Sequence, residues 1–238
     1  MKVLSVNAVS KIFPNGLKAL DEVSFSAEEG ECIVAAGSNG SGKTVLMNII
    51  AQLEESSSGS VTVQQGKSIG LIFQDADAQI LGETVEEDAS FGPRNAGYSK
   101  NEIKEKVDSS LTSTGLAHKK DSPSRLLSGG EKRRLAVAGV LAMDCDILIF
   151  DEPFANLDWP GVKQVCSIIA QLKKEGKTLI VLTHELEKIL SLADRFLVLH
   201  YGKICFDGDP EEGLKLDLNK WGIRNPLVSY ESIGDLLW

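Results

Sequence analysis

The sequence predicts an α/β core that carries an antiparallel β patch and an inserted helical lobe. Three observations lead there. Short apolar runs at 32–36, 147–150, 179–182 and 196–199 are rich in Val, Ile and Leu. They are too brief for buried helices and read as strands buried on both faces of a parallel sheet. Helical periods alternate with these runs, which sets the α/β class. Two stretches then break the alternation. Residues 1–35 and 59–73 read as short strands around turns at Pro14-Asn15-Gly16 and Gln65-Gly66-Lys67, an antiparallel pattern. Residues 75–145 hold helical periods and no convincing strand, and form the predicted lobe.

Taken in order, the helical periods have clear faces. Leu46, Ile49, Ile50 and Leu53 share one face; Ile103, Val107 and Leu111 share another; Val162, Val165, Ile169 and Leu172 share a third. Ser99 and Glu102 have capping-box spacing at the start of the second helix, and Pro160 suits the first turn of the third. Residues 56–60 (Ser-Ser-Ser-Gly-Ser) read as a turn.

Composition bounds the possibilities. A chain of 238 residues suits one large domain, or a domain with an inserted lobe, and can bury a sizeable core. With 42% hydrophobic and 25% charged residues it is neither disordered nor fibrous. Its 25 basic and 34 acidic side chains leave a net charge of −9. That balance disfavours direct coating of nucleic acid and unaided adhesion to anionic lipid. No segment approaches the roughly 18 consecutive apolar residues of a membrane span. The first eleven residues alternate like a strand and lack the apolar centre of a signal peptide. Cys32, Cys145, Cys166 and Cys205 form no CxxC pair and read as small buried residues of a reducing compartment.

Three motifs carry chemistry. Gly37-Ser38-Asn39-Gly40-Ser41-Gly42-Lys43-Thr44 fits GxxxxGK[ST] between an apolar strand and a helix. Its glycines let backbone N–H groups converge on phosphate oxygens, and the helix N-terminus adds unpaired donors. Lys43 would reach the β- and γ-phosphates, and the Thr44 hydroxyl would ligate Mg²⁺. Second, the strand at 147–150 ends in Asp151 and Glu152, at the strand end where α/β sheets place ligands. Asp151 would anchor the metal through water opposite Thr44, and Glu152 would orient and polarise an attacking water. Third, Ser128-Gly129-Gly130-Glu131 follows Leu127 and opens a long helical run, with Ser128 as N-cap. This makes a second anion-ready helix start. The basic triplet Lys132-Arg133-Arg134 is expected to face solvent or neighbouring acids.

In this order the three motifs resemble the ATP-binding cassette (ABC) ATPases, over residues 1 to about 210. The resemblance implies a RecA-like P-loop NTPase core with a helical subdomain at about 75–145 and a short tail at about 211–238. It implies ATP as substrate and Mg²⁺ as its metal. The nucleotide site would run from Gly37 to Val45, with Phe13 stacking on adenine and Gln74 touching Mg²⁺. Asp158 would belong to the loop after the catalytic Glu152, and His184 would contact γ-phosphate and brace the water. In the family two cassettes pair head to tail, so Ser128, Gly129, Gly130 and Glu131 would close over the ATP of a second subunit, identical or paralogous.

Residues 73–81, 84–88, 91–95 and 131–143 are similar to the ATPase subunits of energy-coupling-factor importers, which take up vitamins or transition-metal ions such as cobalt and nickel. That likeness implies a peripheral subunit on the cytoplasmic membrane face, gripping a transmembrane partner beside Gln74 and touching no nucleic acid. Asp75 and Asp77 would meet a basic partner side chain or cap a helix. ABC ATPases of other importer classes, or soluble ones linked to translation or nucleic acid, are the alternatives.

The sequence departs from the family pattern in three places. Val45 stands where many relatives carry a hydroxyl, a loss of about 1 kcal/mol in nucleotide binding. Trp159 replaces a common proline, and an aromatic there suits a subunit interface. The tail ends in the apolar Leu236-Leu237-Trp238, which would dock in cis or on a partner.

Overall fold

The computed structural model describes residues 1–228, so the tail's final residues, Leu236-Leu237-Trp238 among them, lie outside the described residues. The first 72 residues form β1 (Lys2–Ile12), β2 (Lys18–Glu28), β3 (Cys32–Ala36), α1 (Lys43–Ile50), β4 (Ser58–Val63) and β5 (Ile69–Ile72). Four helices follow: α2 (Ala76–Gln79), α3 (Val85–Asn95), α4 (Lys100–Ser113) and α5 (Gly129–Ala142). The rest is β6 (Ile147–Asp151), α6 (Trp159–Lys174), β7 (Thr178–Leu182), β8 (Arg195–His200), β9 (Lys203–Gly208) and α7 (Pro210–Leu214).

Two sheets result. One has the order β5-β6-β7-β3-β8-β9, parallel except for β9, which runs antiparallel to β8. The other is antiparallel, β2-β1-β4. The sequence reading placed residues 69–72 in the antiparallel patch, and the structure corrects this. Ile69 to Ile72 pair in parallel register with Ile147 to Phe150, where an apolar strand finds cover on both faces. The strands β1 and β2 are also long, at 11 residues each. Residues 58–60, read as part of a turn, belong to β4. There Gly59, at φ 83°, lies against the bulge at Ala8, whose carbonyl oxygen would be 2.3 Å from an added Cβ.

The pleat of the parallel sheet divides the core. Along β3, Cys32, Val34 and Ala36 face one side, with Phe150, Val181, Phe196 and the α6 residues Val162, Val165 and Ile169. Ile33 and Ala35 face the other, with α1 residues Leu46, Ile49 and Ile50 and patch residues Val6, Val9 and Leu20. The antiparallel sheet therefore covers the α1 side. Each such Val, Leu or Ile contributes about 1.5–3 kcal/mol on full burial. A third cluster, with Val85, Ala89, Val107, Leu111 and Leu135, packs α3, α4 and α5 together.

Local signals explain the helix starts. Ser99 with Glu102 and Ser128 with Glu131 form complete capping boxes, as does the pair Thr84 and Glu87. Pro160 lies in the first turn of α6, which Asp158 caps. Leu53 does not share the buried face of α1: the helix ends at Ile50 and Leu53 is 60% exposed. All four cysteines are free. Cys32 and Cys145 are buried as expected and Cys166 is half-buried, but Cys205 is exposed, on the solvent side of the edge strand β9.

Candidate functional site

The carboxyl ends of β3, β6 and β7 meet at one end of the parallel sheet, where the chain turns out of each strand. After β3 the loop 37–42 is held tightly. A Cβ on Gly37 would lie 2.3 Å from the Leu199 carbonyl oxygen and 2.5 Å from Ser41 Oγ. At φ 102°, Gly42 caps α1 with no side-chain hydrogen bond, so the first amides of the helix keep their donors unspent. Lys43 is buried, and its Nζ donates to the carbonyls of Gly37 at 2.7 Å and Ser38 at 3.2 Å. Burial pushes the Lys43 ammonium pKa down, while Glu152 and Asp151 act in the opposite direction. Thr44 Oγ1 donates to Asp151 Oδ2 at 2.9 Å.

The end of β6 supplies the carboxylates. Asp151 is buried, its pKa is raised by burial against the Thr44 hydrogen bond, and its Oδ1 has no protein partner. Glu152 sits in the left-handed region at φ 44°, a cost on the order of 1 kcal/mol for a non-glycine residue. Its N–H donates to the Leu182 carbonyl at 2.9 Å, which fixes the turn against the end of β7. The carboxylate is thereby held 3.0 and 3.1 Å from His184 Nδ1 and 4.0 Å from Lys43 Nζ. Five predicted residues, Lys43, Thr44, Asp151, Glu152 and His184, thus converge.

The other predicted residues stand outside this network of contacts. Gln74 lies two residues beyond β5, and its side chain is exposed. The Phe73 and Gln74 carbonyls accept hydrogen bonds from Arg133 Nη1 and Nη2, both at 2.6 Å. Arg133 is only 3% exposed, which corrects the expectation of a solvated or acid-paired triplet. The signal for this lay in α5 itself, where Leu135, Ala136, Val137, Ala138 and Val140 leave little solvent face to share. Lys132 does pair with an acid, Asp77. Asp75 Oδ1 accepts from the Asp77 N–H and caps α2, so capping is the role the described contacts give it.

At the start of α5, Ser128 Oγ accepts from Glu131 N–H at 3.3 Å, and Glu131 Oε2 accepts from Ser128 N–H at 2.9 Å. Lys119 Nζ lies 2.5 Å from Glu131 Oε1. Its hydrogen bond, with help from the Ser128 backbone, holds the Glu131 carboxyl at about 2. Asp158 Oδ1 accepts from Gly161 N–H at 2.9 Å, and neighbouring Leu157 packs beside Gly130. Phe13 is half-buried in the β1–β2 turn, with Lys11 Nζ 5.4 Å from its ring centroid. Val45 packs partly buried against the α1 side of the core, and Trp159 is 71% exposed. Among the described residues, no hydrogen bond or ion pair joins Phe13, Gln74, Asp158 or Ser128–Glu131 to the Lys43–Glu152 group.

The phosphate loop, the paired carboxylates and the capped Ser-Gly-Gly turn thus occur in one α/β frame, and residues 20–155 match the ABC transporter family. The chain belongs to that family. This ABC ATPase is 36% identical to the cobalt import ATP-binding protein CbiO of Rhodobacter capsulatus, across 95% of this chain and 86% of that protein. It is 37% identical to the energy-coupling factor transporter ATP-binding protein EcfA of Carboxydothermus hydrogenoformans, across 87% of this chain and 80% of the relative. Among solved structures it resembles cbiO1 from Clostridium perfringens, described as part of the ABC transporter complex cbiONQ. The TM-score is 0.80 and the identity 32%, covering 94% of this chain and 96% of the other.

Proposed function

We infer that this cassette is the ATP-hydrolysing subunit of an energy-coupling-factor importer, working with a second cassette and a transmembrane partner. The observation that carries the hydrolytic part is Glu152, a buried carboxylate held between Lys43 and His184 at a strand end. ATP's triphosphate would lie along the loop 37–44, taking the α1 amide donors, while Phe13 meets the base. Lys43 would exchange the Gly37 and Ser38 carbonyls for phosphate oxygens. Glu152 would take a proton from the attacking water as its oxygen bonds to the γ-phosphorus and the bond to the β–γ bridging oxygen breaks. His184 would hold the carboxylate in place during that transfer. The products are ADP and phosphate.

Thr44 and Asp151 suit Mg²⁺. Both offer hard oxygens, they lie 2.9 Å apart, and Asp151 Oδ1 is buried without a protein partner. Bound there with the nucleotide, the ion would neutralise developing charge on the phosphates. Gln74 would complete its protein contacts. Ser128, Gly129, Gly130 and Glu131, with Asp158 nearby, would face the ATP of the second cassette.

The importer part rests on the likeness to the CbiO and EcfA proteins. Among the described residues no helix is long and apolar enough to cross a membrane, so attachment to the cytoplasmic face would come through the partner. The cargo, a vitamin or a transition-metal ion, would be bound by other subunits.

Two measurements test this reading. Glu152→Gln should keep ATP binding, trap paired cassettes, and lower kcat by about 10²–10⁴-fold, the usual share of a general base. Undiminished turnover would remove Glu152 from that role. Affinity purification from native membranes should recover an integral membrane protein, and ribosomes or DNA in its place would overturn the importer assignment.

A further inference from the structure

Arg133 is a buried cation whose two hydrogen bonds both go to main-chain carbonyls, those of Phe73 and Gln74. Asp151 and Asp75 influence its charge only at longer range, and burial disfavours that charge. An apolar side chain would fill the same space on α5 without the desolvation cost of a guanidinium. What the guanidinium adds is geometry: a rigid planar fork in which two separate nitrogens each hold one of two successive carbonyls. The carbonyls it fixes are well placed. Ile72 pairs with Phe150 in the sheet, so Phe73 and Gln74 leave β5 alongside Asp151 and Glu152. Lys132, one residue earlier on α5, ties Asp77 in the same segment.

We propose that Arg133 is a positioning residue for ATP hydrolysis: it sets the main chain of Gln74 beside the Thr44–Asp151 pair and makes that placement follow α5. The same helix begins at Ser128–Glu131. A movement of the segment 73–77 and a movement of the Ser-Gly-Gly turn are therefore one movement. The proposal rests on the reading of Gln74 as a contact of the nucleotide-bound metal.

The test is a double-mutant cycle on the full-length chain, purified with its partner subunits and assayed for kcat, KM for ATP and the Mg²⁺ concentration giving half-maximal turnover. Displacement of Gln74 in Arg133→Gln should lower kcat by about tenfold to a hundredfold, with KM for ATP within about twofold. Gln74→Ala should give a similar loss and the same rise in the Mg²⁺ requirement. The double variant should be no worse than Gln74→Ala within about twofold, because both changes remove one function. Arg133→Lys, which keeps the charge but carries its donors on a single nitrogen, should recover part of the rate. If Arg133→Gln fails to fold, Arg133→Lys takes its place in the cycle. Losses that multiply, or an unchanged Mg²⁺ requirement in the Arg133 variant, overturn the proposal while leaving Gln74's role intact. A fully active Gln74→Ala overturns the reading of Gln74 and the proposal with it.

Discussion

Two helices in this cassette begin at glycine-rich turns, and they begin in opposite ways. The first, α1, starts after Gly42 with no side-chain cap, no acid in its first turn and Lys43 as its first residue. The second, α5, starts at Ser128 with a complete capping box and an acid, Glu131, in its first turn. An uncapped start with a cation keeps its amide donors for an incoming anion. A capped start has spent two donors on its own chain, and its carboxylate would repel an anion if Lys119 did not pair with it. On the proposed reading, the α1 start would be an anion site in its own right. The α5 start is compatible with an anion only while Lys119 stays in place, which suits a surface used only when a second molecule arrives.

The largest expected difference comes from adding one methyl group at each start. In Gly37→Ala the new Cβ meets the Leu199 carbonyl oxygen at 2.3 Å, and backbone on both sides must shift. Overpacking of this kind costs about 1–3 kcal/mol. Whatever share falls on the loop appears as lost ATP affinity, up to on the order of a hundredfold. Around Gly129 there is nothing within 4 Å of an added Cβ. Gly129→Ala should therefore leave stability and single-chain ATP binding within about 0.5 kcal/mol of wild type. Calorimetric ATP titration and urea unfolding of both variants measure the contrast, and equal losses would erase it.

The same division decides what could be read from sequence. The α1 start was legible because its glycines, lysine and threonine are contiguous, and the strand before it is apolar on both faces. Asp151 and Glu152 were legible as the end of such a strand. The left-handed turn at Glu152 was not, since φ depends on how β7 holds the chain. Nor were the acceptors of Arg133, which lie 60 and 59 residues away, or the pairing of Lys119 with Glu131. Charged side chains look alike in sequence whether solvated or clamped. The placement of β5 failed for a related reason, because the short run Ile69-Gly70-Leu71-Ile72 fits either sheet and only pairing with β6 decides.

Lys119→Met gives the smallest effect and probes the α5 start alone. In the wild type Glu131 titrates at about 2 instead of the ordinary 4.5. A carboxyl lowered on folding stabilises the fold above its unfolded value, and that contribution disappears as pH falls from 4.5 toward 2. The pair is solvent-accessible, so removing Lys119 should cost about 0.5 kcal/mol at pH 7 and less in 1 M salt. The gap to wild type should close on acidification, and the Glu131 carboxyl, followed by NMR, should titrate at higher pH in the variant. Single-chain ATP binding should not change, because the α1 site lacks this acid. ATP-driven pairing of two cassettes should weaken, because in the proposed pairing each bared Glu131 would face a triphosphate. A variant that lost ATP binding and kept pairing would reverse the roles assigned to the two helix starts.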